Sequence, residues 1–339
     1  MKKALIIRYG AYGDLLIITP VLRELKKQGY YILLNVSNKG ALILKDNPNI
    51  DEFIFHEDNS VACDKLEEYW DKLKAEHKPD LFIDFCESIE VNLCLAPRDP
   101  QYNYSKEERR EICDKNYYEE SFRWANLEVT NCDYKPEIYF SPEEIEDAKQ
   151  YIKPDHYNIL WCLSGSNKHK AYPWTEQVME KIIATNDKIH FITVGDESCQ
   201  TIEPENTQTT KLSGKVNMRT SMCLTGLVDL VISPDTGVLH ASGAFTTPKI
   251  GLLGHTTIEN ITKHFVNDYS IESTASCAPC FRLIYDHSAQ CPVDLETGGV
   301  WCQATGIPIK TLTNQIQKVI NKHARERLSD YNSYKMSDM

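Results

Sequence analysis

A repeated alternation of short apolar runs and helical segments constrains the fold of this chain more than any other feature. The chain begins with the apolar run Lys3–Ile7 and the glycine-bearing turn Arg8–Asp14. Leu15–Lys27 then has helical periodicity, and Tyr30–Val36 is a second apolar run. This order is a β-turn-α-β unit, whose crossover connection builds parallel sheets. The pattern therefore predicts an α/β fold that starts with a parallel sheet.

The same alternation returns in the second half of the chain. Strands are predicted at Tyr157–Leu163, Lys188–Val194, Leu227–Ile232 and Pro248–Leu253. Helices are predicted at Thr175–Asn186 and from Ile309 to about Arg325. A second parallel sheet is therefore expected. A chain of 339 residues is long enough for two Rossmann-like domains with a cleft between them.

The predicted domain boundary lies just before the strand that opens the second half. Ser141-Pro-Glu-Glu144 is a helix start, with serine as N-cap and glutamate at the third helical position. We expect an N-terminal domain at 1–153 and a C-terminal domain at 154–325 that includes a cysteine-rich segment at 276–306. A polar tail is expected at 326–339. Residues 98–140 are rich in tyrosine and charge, with weak periodicity, and could form an insertion that lines the cleft.

The composition narrows the class of protein and of partner. Hydrophobic residues make up 42% of the chain and charged residues 25%, which are values of a globular protein. The formal net charge of −12 makes nucleic acid a less favoured partner. No apolar run approaches 18 residues and the N-terminus lacks a signal-like segment, so we expect no transmembrane segment and a cytoplasmic location.

Small and polar residues follow several predicted strands, where ligands of open parallel sheets bind. Those residues are Gly10, Gly13 and Asp14 after the first strand, Ser164, Gly165, Ser166 and Lys170 after Tyr157–Leu163, and Asp235, Thr236, Gly237 and His240 after Leu227–Ile232. Small residues with free amides before a helix form a cradle for anions, and a lysine adds positive charge. Taken singly, each segment could equally be a tight turn, a helix-start charge or a buried core histidine.

Taken together, the segments resemble a known family. Arg8-Tyr-Gly-Ala-Tyr-Gly-Asp-Leu-Leu-Ile-Ile-Thr-Pro-Val-Leu-Arg-Glu-Leu25 resembles an N-terminal pattern of strand, Gly-Asp, Thr-Pro and leucine-rich helix. Ser164-Gly-Ser166 with Lys170-Ala-Tyr-Pro-Trp174 is similar to a Gly-Ser followed by lysine and Trp-Pro. The family is the heptosyltransferase-like glycosyltransferases of family 9, inverting enzymes with the two-domain GT-B fold.

The third and most specific match lies in the second half. Ser233-Pro-Asp-Thr-Gly-Val-Leu-His-Ala-Ser-Gly-Ala244 resembles the Asp-(Ser/Thr)-Gly-x-x-His donor motif of the family. Thr247-Pro-Lys-Ile-Gly-Leu-Leu-Gly254 resembles the strand that follows it. There are two departures from the pattern. Tyr172-Pro-Trp174 replaces the usual Trp-Pro, and residues 98–140, which would shape the acceptor site, match nothing in the family.

The resemblance implies a role for each matched residue. Asp14 resembles the general base that takes the proton of the acceptor hydroxyl. Lys170 and the amides of Ser164, Gly165, Ser166, Thr236 and Gly237 would stabilise the departing nucleoside diphosphate. Asp235 would bind the donor sugar or order its loop, and His240 would lie close to the phosphates. Gly10 and Gly13 would face the acceptor or the cleft. The resemblance implies no catalytic metal.

Four cysteines near the end of the chain are spaced C-x2-C-x10-C-x10-C. They are Cys277, Cys280, Cys291 and Cys302. Four thiolates with one C-x2-C pair are typical of structural zinc or iron, although four free thiols in a loop would give the same spacing. The autotransporter heptosyltransferases, one branch of the family, resemble this pattern with a four-cysteine iron site. Such a metal would staple the segment 276–306 and do no chemistry.

Three functions stay open on the sequence. The first is an inverting glycosyltransferase with Asp14 as base. The second is a nucleotide-sugar epimerase of the same fold, and the third is a non-catalytic nucleotide-binding subunit. The resemblance favours a donor like ADP-heptose, and an acceptor that is a glycan, a lipopolysaccharide core or a protein. An oligomer is compatible with the sequence.

Overall fold

Two parallel sheets organise the part of the chain that the structure describes. The computed structural model describes residues 1–56, 61–86, 88–166, 168–283, 291, 293, 302 and 306–337, with backbone alone at 168 and 324–337. The first sheet has strands β1 (Lys2–Ile7), β2 (Tyr30–Ser37), β3 (Glu52–His56) and β4 (Leu81–Asp84). Their order is β3-β2-β1-β4, with every pair parallel. The predicted β-turn-α-β unit is confirmed.

The second sheet is larger and lies wholly in the second half of the chain. Its strands are β5 (Tyr157–Cys162), β6 (Ile189–Val194), β7 (Thr209–Lys211), β8 (Leu230–Pro234), β9 (Lys249–Leu253) and β10 (Ile271–Glu272). Their order is β10-β9-β8-β5-β6-β7, again all parallel. Every residue of the central strands β5 and β8 is buried, as expected of a parallel sheet covered on both faces.

Helices cover both sheets. In the first half they are α1 (Tyr12–Ile17), α2 (Thr19–Lys27), α3 (Asn38–Ile43), α4 (Leu66–His77), α5 (Lys106–Cys113), α6 (Tyr117–Trp124) and α7 (Pro142–Lys149). In the second half they are α8 (Thr175–Ile183), α9 (Met218–Leu224), α10 (Gly237–Ser242), α11 (Ile258–Ile261) and α12 (Ile309–Ser337). Within the described residues, no helix is both long and apolar enough to cross a membrane.

Two helix boundaries show how the sequence acts locally. Ser141 Oγ accepts a hydrogen bond from the Glu144 amide at 3.3 Å, and Glu144 Oε2 accepts one from the Ser141 amide at 2.9 Å, so the predicted capping box is confirmed. The single helix expected over Leu15–Lys27 is instead two helices that meet at Ile18. Pro20 lies in the first turn of α2, where its missing N–H costs no hydrogen bond.

The end of the chain differs from the sequence-based expectation. The last helix was expected to end near Arg325, but α12 continues to Ser337. Residues 326–337 therefore extend this helix rather than forming a separate polar tail.

The two halves share an apolar core. Leu239, Leu253, Ile261 and Phe265 of the second half are buried in one cluster with side chains of the first sheet and its helices. Burying apolar surface is the main favourable term in holding domains together. The cluster therefore fixes the first sheet against α10 and α11, which brings the ends of their preceding strands close to the loop after β1.

Residues 98–140 form part of this junction. The region contains α5 and α6. Asn116 Nδ2 donates to the Glu259 carbonyl at 2.9 Å, and Asn260 Nδ2 donates back to the carbonyls of Cys113 and Lys115 at 2.7 and 2.8 Å. These reciprocal amide bonds attach the start of α6 to α11 of the second half.

Candidate active site

Asp14 lies in the first turn of α1, directly beyond the carboxyl end of β1. Its Oδ2 accepts a hydrogen bond from the Ala11 amide at 3.0 Å and pairs with Arg8 Nη2 at 2.9 Å. The side chain keeps 21% of its surface exposed. The carboxylate is thus held in one orientation while one edge remains accessible, which suits a group that must reach a substrate hydroxyl.

Arg8, the first residue after β1, is almost completely buried. Besides Asp14 it pairs with Glu90 Oε1 at 3.0 Å and donates a hydrogen bond to the Phe85 carbonyl. Burial by itself would lower the pKa of Arg8, but the two carboxylates hold it above its ordinary value. A permanent positive charge therefore lies under Asp14 and anchors its carboxylate.

Two glycines, Gly10 in the loop after β1 and Gly13 in the first turn of α1, permit this arrangement. Gly10 has a φ of +147°, a region that L side chains rarely adopt, and a Cβ there would lie 2.9 Å from Asp14 Oδ2. A Cβ on Gly13 would lie 2.8 Å from His240 Cδ2. The loop after β1 therefore packs directly against α10, so the first and third sequence motifs meet.

In the second half of the chain, Asp235 is the candidate site residue that the other polar side chains surround. Its backbone carbonyl accepts a hydrogen bond from Lys170 Nζ at 2.7 Å, and its Oδ2 lies 3.9 Å from the same ammonium. His240 Nε2 lies 3.4 Å from Oδ1, and His255 Nε2 lies 3.4 Å from Oδ2. Burial alone would raise the pKa of Asp235, but Lys170 and the two histidines hold it well below its usual range. Asp235 is therefore a buried carboxylate.

The Ser164–Ser166 loop packs against Lys170 and the turn at Asp235 and Thr236. A Cβ on Gly165 would lie 2.7 Å from Thr236 Cγ2 and 2.9 Å from Lys170 Cδ. Thr236 Oγ1 lies 2.9 Å from Ser233 Oγ, which fixes the turn before α10. Ser166 is exposed, whereas Ser164 is half-buried. The second and third motifs thus share one surface, with Lys170 between them.

A match to a family model covers this part of the chain. Residues 104–287, more than half of the chain, match the glycosyltransferase family 9 (heptosyltransferase) model. The chain belongs to glycosyltransferase family 9. A curated relative, the lipopolysaccharide core heptosyltransferase OpsX of Haemophilus influenzae, is 26% identical over 134 residues, which are 40% of this chain. The match spans only 31% of that protein.

Solved structures with the same fold accompany the family 9 match. The family 9 glycosyl transferase of Veillonella parvula has a TM-score of 0.69 at 15% identity, covering 95% of this chain and 98% of its own. E. coli ADP-heptose lipopolysaccharide heptosyltransferase II has a TM-score of 0.63 at 12% identity, covering 96% and 100%. The iron-containing dodecameric glycosyltransferase TibC of enterotoxigenic E. coli has a TM-score of 0.62 at 11% identity, covering 94% and 78%. The predicted GT-B fold is confirmed.

One departure from the family 9 pattern has a structural explanation. Tyr172 is buried, stacks on Trp161 with ring centroids 6.2 Å apart, and donates a hydrogen bond to the Ile307 carbonyl at 2.9 Å. Trp174 precedes α8 and is exposed. The aromatic residue that packs into the core of this family 9 chain is therefore Tyr172.

The four cysteines of this family 9 chain line a common cavity. The cavity has a volume of about 40 Å³ and is lined by Cys277, Cys280, Cys291 and Cys302, together with His169 and His255. Burial lowers the pKa of His255 to about 4 and that of His169 to about 2, so both rings are neutral near pH 7. Within the described residues, no three histidine, cysteine or acidic side chains are grouped closely enough to hold a metal ion.

The segment that carries the first cysteine pair contacts both sides of the candidate site. The Phe281 amide donates to the His255 carbonyl at 2.8 Å. Arg109 Nε donates to the Cys280 carbonyl at 2.9 Å, and the Leu95 amide donates to the Phe281 carbonyl at 3.0 Å. The cysteine segment therefore links the loop after β9 to residues 95–113 of the first half.

Three residues of the site were not selected as site residues from the sequence. His255 lies just beyond β9 and could have been found by the same strand-end rule that selected Asp235. Arg8 stood in the quoted first motif, and a charged residue directly after a buried strand is a usable signal. Tyr118, whose hydroxyl lies 2.8 Å from His240 Nδ1, belongs to residues 98–140, which showed no recognisable motif. The family 9 model nevertheless matches this region from residue 104 onward, so the expectation that it matches nothing in the family was wrong.

Proposed function

We propose that this protein is an inverting glycosyltransferase that moves a sugar from a nucleoside diphosphate sugar to an acceptor hydroxyl. The observation that carries the proposal is the direct packing of the Gly13 loop, with Asp14, against the His240 helix, with Asp235 and Lys170. One carboxylate that stays partly accessible is thus held against the half of the chain that carries the Lys170 ammonium. This pairing suits a reaction that needs a base on one substrate and charge stabilisation on the other.

The proposed step transfers one proton and exchanges one bond. The acceptor oxygen attacks the anomeric carbon while the bond from that carbon to the diphosphate oxygen breaks. Asp14 takes the acceptor proton, and the nucleoside diphosphate leaves with the bonding electron pair. The transition state has oxocarbenium character, as in glycoside hydrolysis. Lys170 and the amides of the Ser164–Ser166 and Asp235–Gly237 turns stabilise the departing charge.

The substrates are proposed from the relatives. The curated relative is named as a lipopolysaccharide core heptosyltransferase, and one solved structure with the same fold is an ADP-heptose enzyme. We propose an ADP-heptose-like donor and a glycan, lipopolysaccharide core or protein acceptor. The net charge of −12 argues against a nucleic acid acceptor.

A structural metal is a second part of the proposal. The proposal rests on the spacing of Cys277, Cys280, Cys291 and Cys302 and on the cavity that they share, because four thiolates are a ligand set for zinc or iron. Within the described residues these side chains are not grouped closely enough to hold an ion, so binding would have to draw them together. TibC, which has the same fold, is described as iron-containing. The metal would tie the cysteine segment to the loops it contacts. No step of sugar transfer passes through it.

A donor screen followed by one substitution tests the transferase proposal. Thermal-shift measurements with ADP-, UDP- and GDP-sugars should raise the midpoint most for the ADP-sugar. Transfer by Asp14→Asn should then fall by roughly 10²–10⁴-fold with donor affinity retained, because the amide cannot accept the proton. Asp71→Asn, at an exposed position on α4, is the matched control and should transfer normally.

Three results would contradict the proposal. Unchanged transfer in Asp14→Asn would show that Asp14 is not the general base. Donor turnover without any acceptor would favour a nucleotide-sugar epimerase. Donor binding without turnover across a panel of glycan, lipopolysaccharide and protein acceptors would favour a non-catalytic subunit.

A further inference from the structure

Tyr118 makes an unusual polar contact across the junction of the two halves. It is the second residue of α6, and its side chain is fully buried. Its hydroxyl lies 2.8 Å from His240 Nδ1, and the opposite ring nitrogen, Nε2, lies 3.4 Å from Asp235 Oδ1. A tyrosine of the first half is thus connected through one imidazole to the buried carboxylate of the second half.

The chemistry of the three groups selects one proton arrangement. Burial raises the pKa of Tyr118 well above its ordinary value, so its hydroxyl keeps its proton and is able to donate a hydrogen bond to Nδ1. When Nδ1 of His240 accepts that hydrogen bond, the ring N–H is the one on Nε2, which faces Asp235. The opposite tautomer would direct the Nε2 lone pair at a carboxylate and would be repelled.

The imidazole is also confined mechanically. Gly13 leaves no room on the Cδ2 side, where an added Cβ would lie 2.8 Å away. The Phe265 ring meets His240 edge-on with centroids 6.4 Å apart. Because the ring is confined on these sides, it cannot rotate to another partner. Loss of the Tyr118 hydroxyl should therefore alter the contact between His240 and Asp235.

We propose that Tyr118 is a positioning residue of the donor site, which holds the His240 ring in place and through it the orientation of Asp235. The inference rests on the proposed function insofar as Asp235 belongs to the donor site. It gives residues 98–140, which the family 9 model matches from residue 104 onward, a role on the donor side besides any role in shaping the acceptor site.

The neighbouring tyrosine provides a matched control. Tyr117 precedes Tyr118 in α6, is also buried, and has its hydroxyl 2.6 Å from Cys94 Sγ instead of on His240. Tyr118→Phe and Tyr117→Phe each remove one buried hydroxyl from the same helical turn. Their difference isolates the contact with His240 from the general cost of losing a buried hydrogen bond.

The first measurement does not require a donor. ¹⁵N-labelled histidine spectra should assign the wild-type His240 ring to the Nε2–H tautomer, with His240→Gln identifying its signals. Tyr118→Phe should shift the Nδ1 signal of His240, because that nitrogen loses its hydroxyl partner, whereas Tyr117→Phe should leave the ring nitrogens unchanged. Unchanged His240 signals in Tyr118→Phe, or an equal shift in Tyr117→Phe, would overturn the inference whatever the activity.

The second measurement uses the best nucleotide-sugar from the thermal-shift screen. Tyr118→Phe should weaken donor affinity roughly tenfold, the equivalent of one poorly satisfied buried group. In a His240→Gln background, Tyr118→Phe should cause no further loss of donor affinity, because the contact between the Tyr118 hydroxyl and the imidazole is already absent. Additive losses would assign Tyr118 a purely structural role. Donor binding without transfer would count against the proposed function alone.

Discussion

Gly13 stands against the imidazole of His240 so closely that a Cβ at Gly13 would come within 2.8 Å of His240 Cδ2. The two residues are 227 positions apart and belong to different halves of the chain. Their contact places the loop that carries Asp14 on the helix that follows Asp235. The candidate base and the candidate donor site are thereby fixed relative to each other by backbone packing.

Gly13→Ala should weaken donor binding and stability together. The added methyl must displace His240 or the loop, and overpacking of this kind costs about 1–3 kcal/mol. Urea unfolding and donor titration measure the two effects. Gly29→Ala is the control, since a Cβ there meets no atom within 4 Å and only its φ of +85° is strained. Donor affinity that is unchanged in Gly13→Ala would show that the His240 position is irrelevant to the donor.

Lys170→Met should reduce kcat/KM for the nucleotide-sugar by about 10²-fold. The ammonium lies 2.7 Å from the Asp235 carbonyl, beside the turn whose amides would hold the diphosphate, so its loss removes charge stabilisation of the leaving group. Steady-state kinetics with the ADP-sugar check this. Lys181→Met, on the exposed face of α8, should be neutral. A wild-type kcat/KM in Lys170→Met would exclude the lysine from leaving-group stabilisation.

Glu144→Gln should destabilise the protein at neutral pH but not in strong acid. Arg219 hydrogen-bonds Glu144, with Nη2 2.6 Å from Oε2, and lowers the pKa of that carboxyl to about 2 against the opposing effect of burial. A folded-state pKa below the unfolded one stabilises the fold fully above about pH 4.5, and this contribution disappears as the pH falls through about 2. The loss at pH 7 should be about 2–3 kcal/mol at most.

Urea unfolding between pH 7 and pH 3 measures the Glu144 effect. The difference between wild type and Glu144→Gln should narrow as the pH drops below about 4.5. Glu146→Gln, which removes an exposed partner of Lys149, should change little at any pH. A gap that stays constant over this range would mean that the Arg219 pair is not its source.

The cysteine cavity predicts a metal content of one zinc or iron per chain. Elemental analysis of the purified protein measures it directly, and Cys277→Ser with Cys280→Ser should abolish it. Chelation should lower the unfolding midpoint of the wild type, because the metal would staple a loop-rich segment. Cys63→Ser, at an exposed single cysteine, should retain the metal. A wild-type protein without metal would leave the four residues as free thiols.

Much of the fold could be predicted from the sequence because the patterns that indicate its strands are local. The apolar runs that became β1, β2, β5, β6 and β9 are buried strands bounded by turn residues. The short strands β7 and β10 and the helices α9 and α11 were missed. Their stability comes from pairing or packing with distant residues, as β10 pairs with β9, and not from their own periodicity.

From the sequence, the candidate site could be predicted only as separate loops. The strand-end rule selected Asp14, Lys170 and Asp235, and the structure brings the loops of all three together. His240 was expected near the phosphates, but it is buried between Tyr118 and Asp235, and its role there stays a prediction. Tyr118 could not be selected from the sequence, because only the packing of the two halves puts its hydroxyl beside a histidine 122 residues away.

The reciprocal amide bonds between Asn116 and α11 have a consequence for recombination within the family. A chimera that joined the first 153 residues of this chain to the donor half of a relative would separate Asn116 from Asn260 and Tyr118 from His240. In such a hybrid each sheet would be intact, but the contacts between the two halves would not match. Moving α5 and α6 together with the second sheet would keep those two contacts, but it would separate Gly13 from His240 and α6 from the core of the first sheet.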